Sequence, residues 1–236
     1  MAHYGRYRID LTEEWTLEDL YVFPRAFEQI YFFLASLGQE LSDVDRDKLE
    51  FAYKGFPWQG GYSAVSFFNQ LKFATKRRNR PSIIAIQKAS PGYLDLGVWI
   101  STALSVAWLV KKIASTIDTA NTTYNNVYKG MQERKLLKLR VQRETRQFNR
   151  EEIEFINDSC QEMAKLLGFS NPIALNKRTG NSYLTVKILL SAFRRARTLA
   201  DYENKGKAHF TEAELPLRVP SSEERGVRRP KTRLKE

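Results

Sequence analysis

Leu96–Val110, with the sequence LGVWISTALSVAWLV, is an uncharged and mostly apolar stretch near the middle of the chain. Lys111 and Lys112 follow it directly, and the whole chain of 236 residues carries a formal net charge of +11. An apolar segment with a cationic flank is typical of an element that touches a membrane or docks on a partner. The way this stretch folds therefore decides the architecture.

The stretch is short for a membrane-spanning helix. At a rise of 1.5 Å per residue it extends only about 22 Å, whereas the hydrocarbon core of a bilayer is roughly 30 Å thick. Extending it back to Ala89 adds Asp95 and Pro91. Three interpretations stay open: a buried core helix, a helix that inserts into or lies on a membrane, and an oligomerisation helix. The candidate membrane or partner contacts are Leu96, Trp99, Ile100, Leu104, Trp108, Lys111 and Lys112.

Composition indicates a folded, basic protein. Hydrophobic residues make up 42% and aromatic residues 12% of the chain, which is more than a disordered chain carries. A pI near 9.7 favours anionic partners, either nucleic-acid phosphates or acidic lipid headgroups. Cys160 is the only cysteine, so no disulfide forms within the chain. The first residues lack the apolar run of a secretory signal, and we expect a location in the cytoplasm or at the inner membrane face.

Hydrophobic periodicity predicts an α+β, helix-dominated fold with a small sheet. Strict alternation from Arg6 to Leu11 predicts a strand, and the β-branched run Ser82–Lys88 predicts a buried one. Thr16 with Asp19 caps a helix over Leu17–Leu37, which Pro24 kinks or divides. Further helices are expected over the following ranges: Ser42–Tyr53, Ser63–Lys76, a helix opened by Ser90-Pro91 that contains the apolar stretch, Asn149–Gly168 and Tyr183–Tyr202. Of these, Asn149–Gly168 starts with Asn149 and Glu152 at capping-box spacing.

These elements suggest three parts. Residues 1–90 form a small α+β domain, residues 91–203 form a helical region, and residues 204–236 form a disordered basic tail. The apolar helix then joins the mixed domain to the basic helical one.

Two clusters of cations are candidate phosphate or headgroup contacts. The predicted helix over Lys129–Arg150 carries far more positive than negative charge. Its few acidic residues cannot pair with all of its cations. A second cluster ends the predicted helix Ser63–Lys76, where cations are also favoured for purely structural reasons. The candidates are Arg134, Lys135, Lys138, Arg140, Arg143, Arg146, Lys76, Arg77, Arg78 and Arg80. On the last helix, which is not among these candidates, Arg194, Arg195 and Arg197 are expected to be exposed.

Signatures of enzymatic chemistry are weak. His3 and His209, the only histidines, lie near the chain ends, which makes a histidine-based catalytic arrangement improbable. No phosphate-cradling glycine motif occurs, and we expect no cofactor. Asp43, Asp45, Asp47 and Glu50 carry enough oxygen ligands for a divalent ion, but acids in the first turns of a helix also complement its dipole, which is the favoured interpretation. We therefore expect no metal site and no catalytic residues.

The arrangement from Ser82 to Phe148 resembles that of uncharacterised bacterial proteins, some of them associated with conflict, defence or signalling systems. A strand, the turn Ser90-Pro91-Gly92, an apolar helix and a long charged helix over Lys129–Arg150 carry the resemblance. It implies a small adaptor region coupled to a helix that docks or inserts.

The sequence thus predicts a non-enzymatic interaction or adaptor protein. Its partner is an anionic surface, foremost the cytoplasmic face of a membrane, contacted through the apolar helix and its basic continuation. The alternative is a nucleic-acid-binding protein whose basic helix lies along phosphates. An enzyme that uses carboxylates alone is a third hypothesis. A protein partner or a homo-oligomer formed through the apolar helix is compatible with both leading predictions.

Overall fold

The computed structural model describes residues 3–37, 45–55, 63–88, 92–138, 148–170 and 172–211. Its strands are β1 (Tyr4–Leu11), β2 (Ser82–Gln87), β3 (Gly92–Trp99) and β4 (Ala208–Phe210). Its helices are α1 (Leu17–Leu37), α2 (Arg46–Glu50), α3 (Ser63–Ala74), α4 (Ile100–Ser115), α5 (Ile117–Glu133), α6 (Arg150–Leu166), α7 (Ile173–Thr179) and α8 (Ser182–Asn204). The predicted helix-dominated α+β fold is confirmed.

The four strands form one antiparallel sheet in the order β2-β3-β1-β4. β1 alternates between buried and half-buried residues, as its sequence predicts. Opposite Tyr7 and Ile9 of β1 stand Leu96 and Leu94 of β3, which places these four apolar side chains on one face. That face is covered by α1, whose Phe27 ring stacks on Phe210 at 6.4 Å. The other face carries Arg6, Arg8 and Asp95.

The apolar stretch is divided between a strand and a helix. Leu96–Trp99 completes β3, and Trp99 is the N-cap of α4, which begins at Ile100. The prediction of a helix that starts at Ser90-Pro91 is therefore wrong, while residues 89–91 themselves lie outside the described residues. Leu94, Leu96 and Val98 alternate with Tyr93, Asp95 and Gly97, and this period of two fits a strand with one core-facing side. The continuous apolar run masks the alternation because Gly97 on the other face is uncharged and the buried Trp99 follows it.

Helix α8 lies at the centre of the helical layer. It packs against α1, α4 and α6, and its residues from Tyr183 to Phe193 are all buried. The Tyr124 ring of α5 stacks on the Phe193 ring with centroids 5.0 Å apart. Buried side chains of both the sheet and the helices belong to one hydrophobic core. The boundary predicted after residue 90 thus falls between β2 and β3, two hydrogen-bonded neighbours of one sheet.

The two predicted capping boxes are confirmed. The Thr16 hydroxyl accepts from the Asp19 amide at 3.1 Å, and the Asp19 carboxylate accepts from the Thr16 amide at 2.8 Å. Asn149 and Glu152 form a complete capping box at the start of α6. Pro24 lies inside α1 without dividing it into two helices.

Three further expectations need correction. β2 is a strand as predicted, but it is exposed because it is the edge of the sheet. The basic helix predicted over Lys129–Arg150 ends at Glu133, because Lys135 adopts a left-handed backbone with φ 57° and the chain turns to bury Leu136. The tail predicted from residue 204 does not begin there, since Ala208–Phe210 pairs with β1 as β4; residues 212–236 lie outside the described residues.

Candidate binding surface

The predicted contacts of the apolar stretch separate into buried and exposed residues. Leu96 and Trp99 are buried in the sheet and the core, so they are excluded as surface contacts. The Trp99 amide donates to the Tyr31 hydroxyl at 2.9 Å, which fixes this end of β3 against α1. Ile100 is half-buried and packs against the core. Only the part of the stretch that lies in α4 reaches the surface.

α4 presents an outer face of mixed apolar and cationic character. Leu104, Trp108, Lys111 and Lys112 follow one another at the spacings of neighbours on one side of a helix. Leu104 is 40% exposed and Trp108 is 55% exposed. The opposite side of the helix is buried, with Ala103, Val106 and Val110 in the core. We call Leu104, Trp108, Lys111 and Lys112, together with Lys165 of α6, the α4 surface.

The turn that ends α6 holds Trp108 in place. The backbone of Gly168 has φ +84°, and a Cβ atom there would lie 2.3 Å from the Trp108 ring. The Lys112 ammonium lies over the Trp108 ring, 5.0 Å from its centroid. The same ammonium donates to the Lys165 carbonyl at 3.1 Å. The indole thus packs against the Gly168 backbone and the Lys112 ammonium while much of it stays in solvent. The sequence predicts Gly168 as the end of a helix, but nothing in the pattern links it or Lys165 to Trp108.

Of the predicted cations beyond α5, the structure describes the side chains of Arg134 and Lys135 only. Arg134 stacks on the Phe155 ring at 4.1 Å and donates to the Gly130 carbonyl at 3.3 Å, while Lys135 is exposed. The side chain of Lys138 and all of Arg140, Arg143 and Arg146 lie outside the described residues.

The cations after α3 lie on a short turn next to β2. Lys76, Arg77 and Arg78 are exposed, and the last two belong to a single 3-10 turn that ends at Asn79. Arg80 is partly structural, since its Nε donates to the Thr75 carbonyl at 3.0 Å. This turn is separate in sequence and in fold element from the α4 surface.

Several of the residues considered for chemistry have structural partners. Asp45 caps α2 by accepting from the Lys48 amide, and Glu50 pairs with Lys54 at 2.8 Å. Asp43 lies outside the described residues, and among the described ones no group of three metal-ligating side chains occurs. Burial raises the pKa of Cys160 to about 11, which disfavours a thiolate. His209 Nδ1 lies 3.6 Å from a Glu203 carboxylate oxygen.

Within the described part of the chain, no single helix has the length and apolar composition needed to cross a bilayer. α4 and α5 meet such a criterion only when counted together, and they are bent by 92° relative to each other.

Comparison of the chain with protein-family models, curated proteins and solved structures gave no match.

Proposed function

We propose that this protein is an interaction protein that associates peripherally with an anionic membrane surface through the α4 surface. The observation that carries the proposal is the exposed Leu104 and Trp108 on the same side of α4 as Lys111 and Lys112, with Lys165 at the adjoining end of α6. Tryptophan is enriched at membrane interfaces because its ring is apolar and its N–H is polar. The contact is narrower than the sequence prediction, because the outer face of α4 replaces the whole apolar stretch and its basic continuation.

The charges on this surface favour acidic headgroups. A lysine close to an anionic membrane contributes about 1 kcal/mol, so three lysines contribute about 3 kcal/mol. Partial insertion of Leu104 and Trp108 adds a hydrophobic contribution. A contribution of this size produces reversible binding that weakens as ionic strength rises.

Vesicle co-sedimentation tests the proposal directly. We expect binding to vesicles that contain phosphatidylserine and little binding to vesicles of phosphatidylcholine alone. The double variant Leu104→Ala, Trp108→Ala should reduce binding at least fivefold. Leu17→Ala is the matched control, because Leu17 is also exposed on a helix but lies outside the α4 surface. Thermal unfolding verifies that each variant is folded.

Charge reversal separates membrane binding from nucleic-acid binding. Lys111→Glu with Lys112→Glu should abolish vesicle binding, whereas Lys129→Glu on the exposed side of α5 should have little effect. If the wild-type protein ignores acidic vesicles but binds RNA or DNA with a steep salt dependence, the membrane proposal is wrong and the nucleic-acid alternative holds.

A further inference from the structure

Three arginines meet in a small cavity between α1 and α8. Arg25 of α1 and Arg194 and Arg195 of α8 line a solvent-open cavity of about 210 Å³, together with Tyr21, Gln29 and Thr198. The volume accommodates a phosphate group with a few ordered waters. We call this cavity the arginine pocket. It involves none of the residues of the α4 surface.

No carboxylate balances these three charges within the described residues. The residues that line the cavity include neither Asp nor Glu. The nearby acids on the same helices have other partners: Asp201 lies 3.9 Å from Arg197, and Glu28 lies 2.7 Å from Lys72. Burial, Arg194 and Arg25 together lower the pKa of Arg195 to about 10. The pocket is therefore a site of positive charge that a bound anion would relieve.

Neutral groups hold Arg195 in position. Its Nε donates to the Gln29 side-chain oxygen at 2.9 Å, its Nη1 donates to the Ser191 carbonyl at 3.1 Å, and its guanidinium lies 4.9 Å from the Phe68 ring centroid. A guanidinium has five N–H donors, so these contacts leave three for a ligand or water. Arg25 donates to the Tyr21 hydroxyl, which keeps a second guanidinium at the rim.

From this geometry we infer that the arginine pocket binds the phosphate group of a phosphate monoester. Planar guanidinium groups recognise phosphate oxygens through paired, charge-assisted hydrogen bonds. Tyr21, Arg25 and Gln29 also line a second, larger cavity of about 420 Å³, which includes the apolar Phe23, Pro24 and Phe27 and also Glu28, the partner of Lys72. The organic substituent of the ester lies across this common wall, over an apolar surface.

Isothermal titration with inorganic phosphate and phenyl phosphate tests the inference. We expect saturable binding of both, with phenyl phosphate at least as tight as inorganic phosphate. The double variant Arg25→Ala, Arg194→Ala should weaken binding about tenfold or more. The control is Lys129→Ala with Arg150→Ala, which removes two positive charges from exposed positions elsewhere. Thermal unfolding in phosphate-free buffer confirms that both double variants are folded.

The site is overturned if the Arg25→Ala, Arg194→Ala variant binds phosphate with an affinity within twofold of wild type. It is also overturned if the control variant loses as much phosphate affinity as the pocket variant. If phenyl phosphate binds tenfold more weakly than inorganic phosphate, the assignment to an organic ester is overturned.

Vesicles with phosphatidic acid distinguish whether the phosphate group belongs to a lipid headgroup or to a soluble ester. If the Arg25, Arg194 variant loses binding to these vesicles but keeps its binding to phosphatidylserine vesicles, the ligand is a lipid headgroup. If it loses binding to both soluble phosphates but binds phosphatidic acid vesicles like the wild type, the ligand is a soluble ester. The Lys111→Glu, Lys112→Glu variant should bind inorganic phosphate and phenyl phosphate as the wild type does. Failure of the membrane proposal can therefore be distinguished from failure of the phosphate proposal.

Discussion

Asp95 is the charged residue on which the fold of the apolar stretch depends. Its side chain has no solvent exposure and accepts hydrogen bonds from Arg6 and from Arg8, the latter at 2.8 and 3.0 Å. Arg8 also lies 4.1 Å from the centre of the Tyr93 ring. Since Arg6 and Arg8 belong to β1 and Asp95 to β3, the ion pairs connect two neighbouring strands on the outer face of the sheet. A residue that counts against a membrane helix thus specifies a strand.

Replacement of Asp95 by Asn should destabilise the protein. It leaves two guanidinium groups without their carboxylate, and the loss of one partner of a buried ion pair costs about 3 kcal/mol. Urea unfolding of the variant measures the change in the free energy of unfolding. Asp118→Asn serves as the control, because Asp118 is exposed on α5 and should change stability by less than about 0.5 kcal/mol. Equal stability of the two variants would contradict the structural role of Asp95.

Acid should weaken the fold through Asp19 and Asp95. The backbone amide of Thr16 is the main cause that lowers the pKa of Asp19; burial opposes it, and Lys207 and Tyr202 assist. Burial by itself would raise the pKa of Asp95, but hydrogen bonds from Arg8 and Arg6 outweigh it and lower the value. A carboxyl whose folded pKa lies below its unfolded value of about 3.9 stabilises the protein above that pH.

This stabilisation is lost as the pH falls below about 4 towards the folded pKa values. Urea unfolding between pH 6 and pH 2 should show a decline in the free energy of unfolding that is shallower in Asp19→Asn. Glu18→Gln, at an exposed neighbouring position, should keep the wild-type slope. An identical slope in all three proteins would show that Asp19 does not carry the acid sensitivity.

At the scale of the elements, the turn that ends α6 packs against the outer face of α4 through Gly168 and Trp108. Gly168→Ala should destabilise the protein by about 1–2 kcal/mol and displace Trp108, because the new Cβ meets the ring and the left-handed backbone disfavours alanine. Gly180→Ala provides a matched control, since Gly180 has φ +68° but nothing within 4 Å of its Cβ position. The stability difference between the two variants measures the contact with Trp108. Indole fluorescence should change in Gly168→Ala only.

β2 is an exposed edge with an apolar surface. Ile83, Ile84 and Ile86 are 60%, 45% and 52% exposed, and no strand pairs with its outer edge in the described part of the chain. Such edges promote association between molecules. Ile84→Lys should therefore reduce concentration-dependent association in analytical ultracentrifugation, whereas Ile153→Lys, at an exposed isoleucine of α6, should not. If both variants associate like the wild type, β2 is not the interface.

Features that depend on neighbouring residues in the sequence are predicted correctly, whereas features that depend on distant residues are not. The capping box of Asn149 and the alternation of β1 are local patterns, and both are confirmed. β3 is missed because its last four residues, Leu96–Trp99, open a helix-length apolar run, and only pairing with β1 shows that they form a strand. Of the predicted surface contacts, Leu104 and Trp108 are exposed but Leu96 and Trp99 are buried. The arginine pocket is not predictable, because it depends on the packing of α1 against α8 across most of the chain.

At the scale of the whole molecule, strand order joins the two predicted domains. β3 comes after the predicted boundary but lies between β2 and β1, which come before it. α1 packs on the sheet with one side, where the Phe23 ring lies 6.0 Å from Phe210, and it contacts α8 with another. Residues before and after the boundary therefore bury each other's apolar surfaces, and the sheet has no complete core without the helices.

Separate fragments of residues 1–90 and 91–203 should accordingly fail to fold. The first lacks the strand that links β1 to β2, and the second lacks α1, so each exposes apolar surface that the other covers. Circular dichroism and proton–nitrogen NMR spectra of each fragment, compared with the full chain, provide the test. The full chain should unfold in a single transition that coincides when followed by tryptophan fluorescence and by far-ultraviolet dichroism. Two separated transitions, or a dispersed spectrum from either fragment alone, would instead establish two domains that fold independently and confirm the boundary at residue 90.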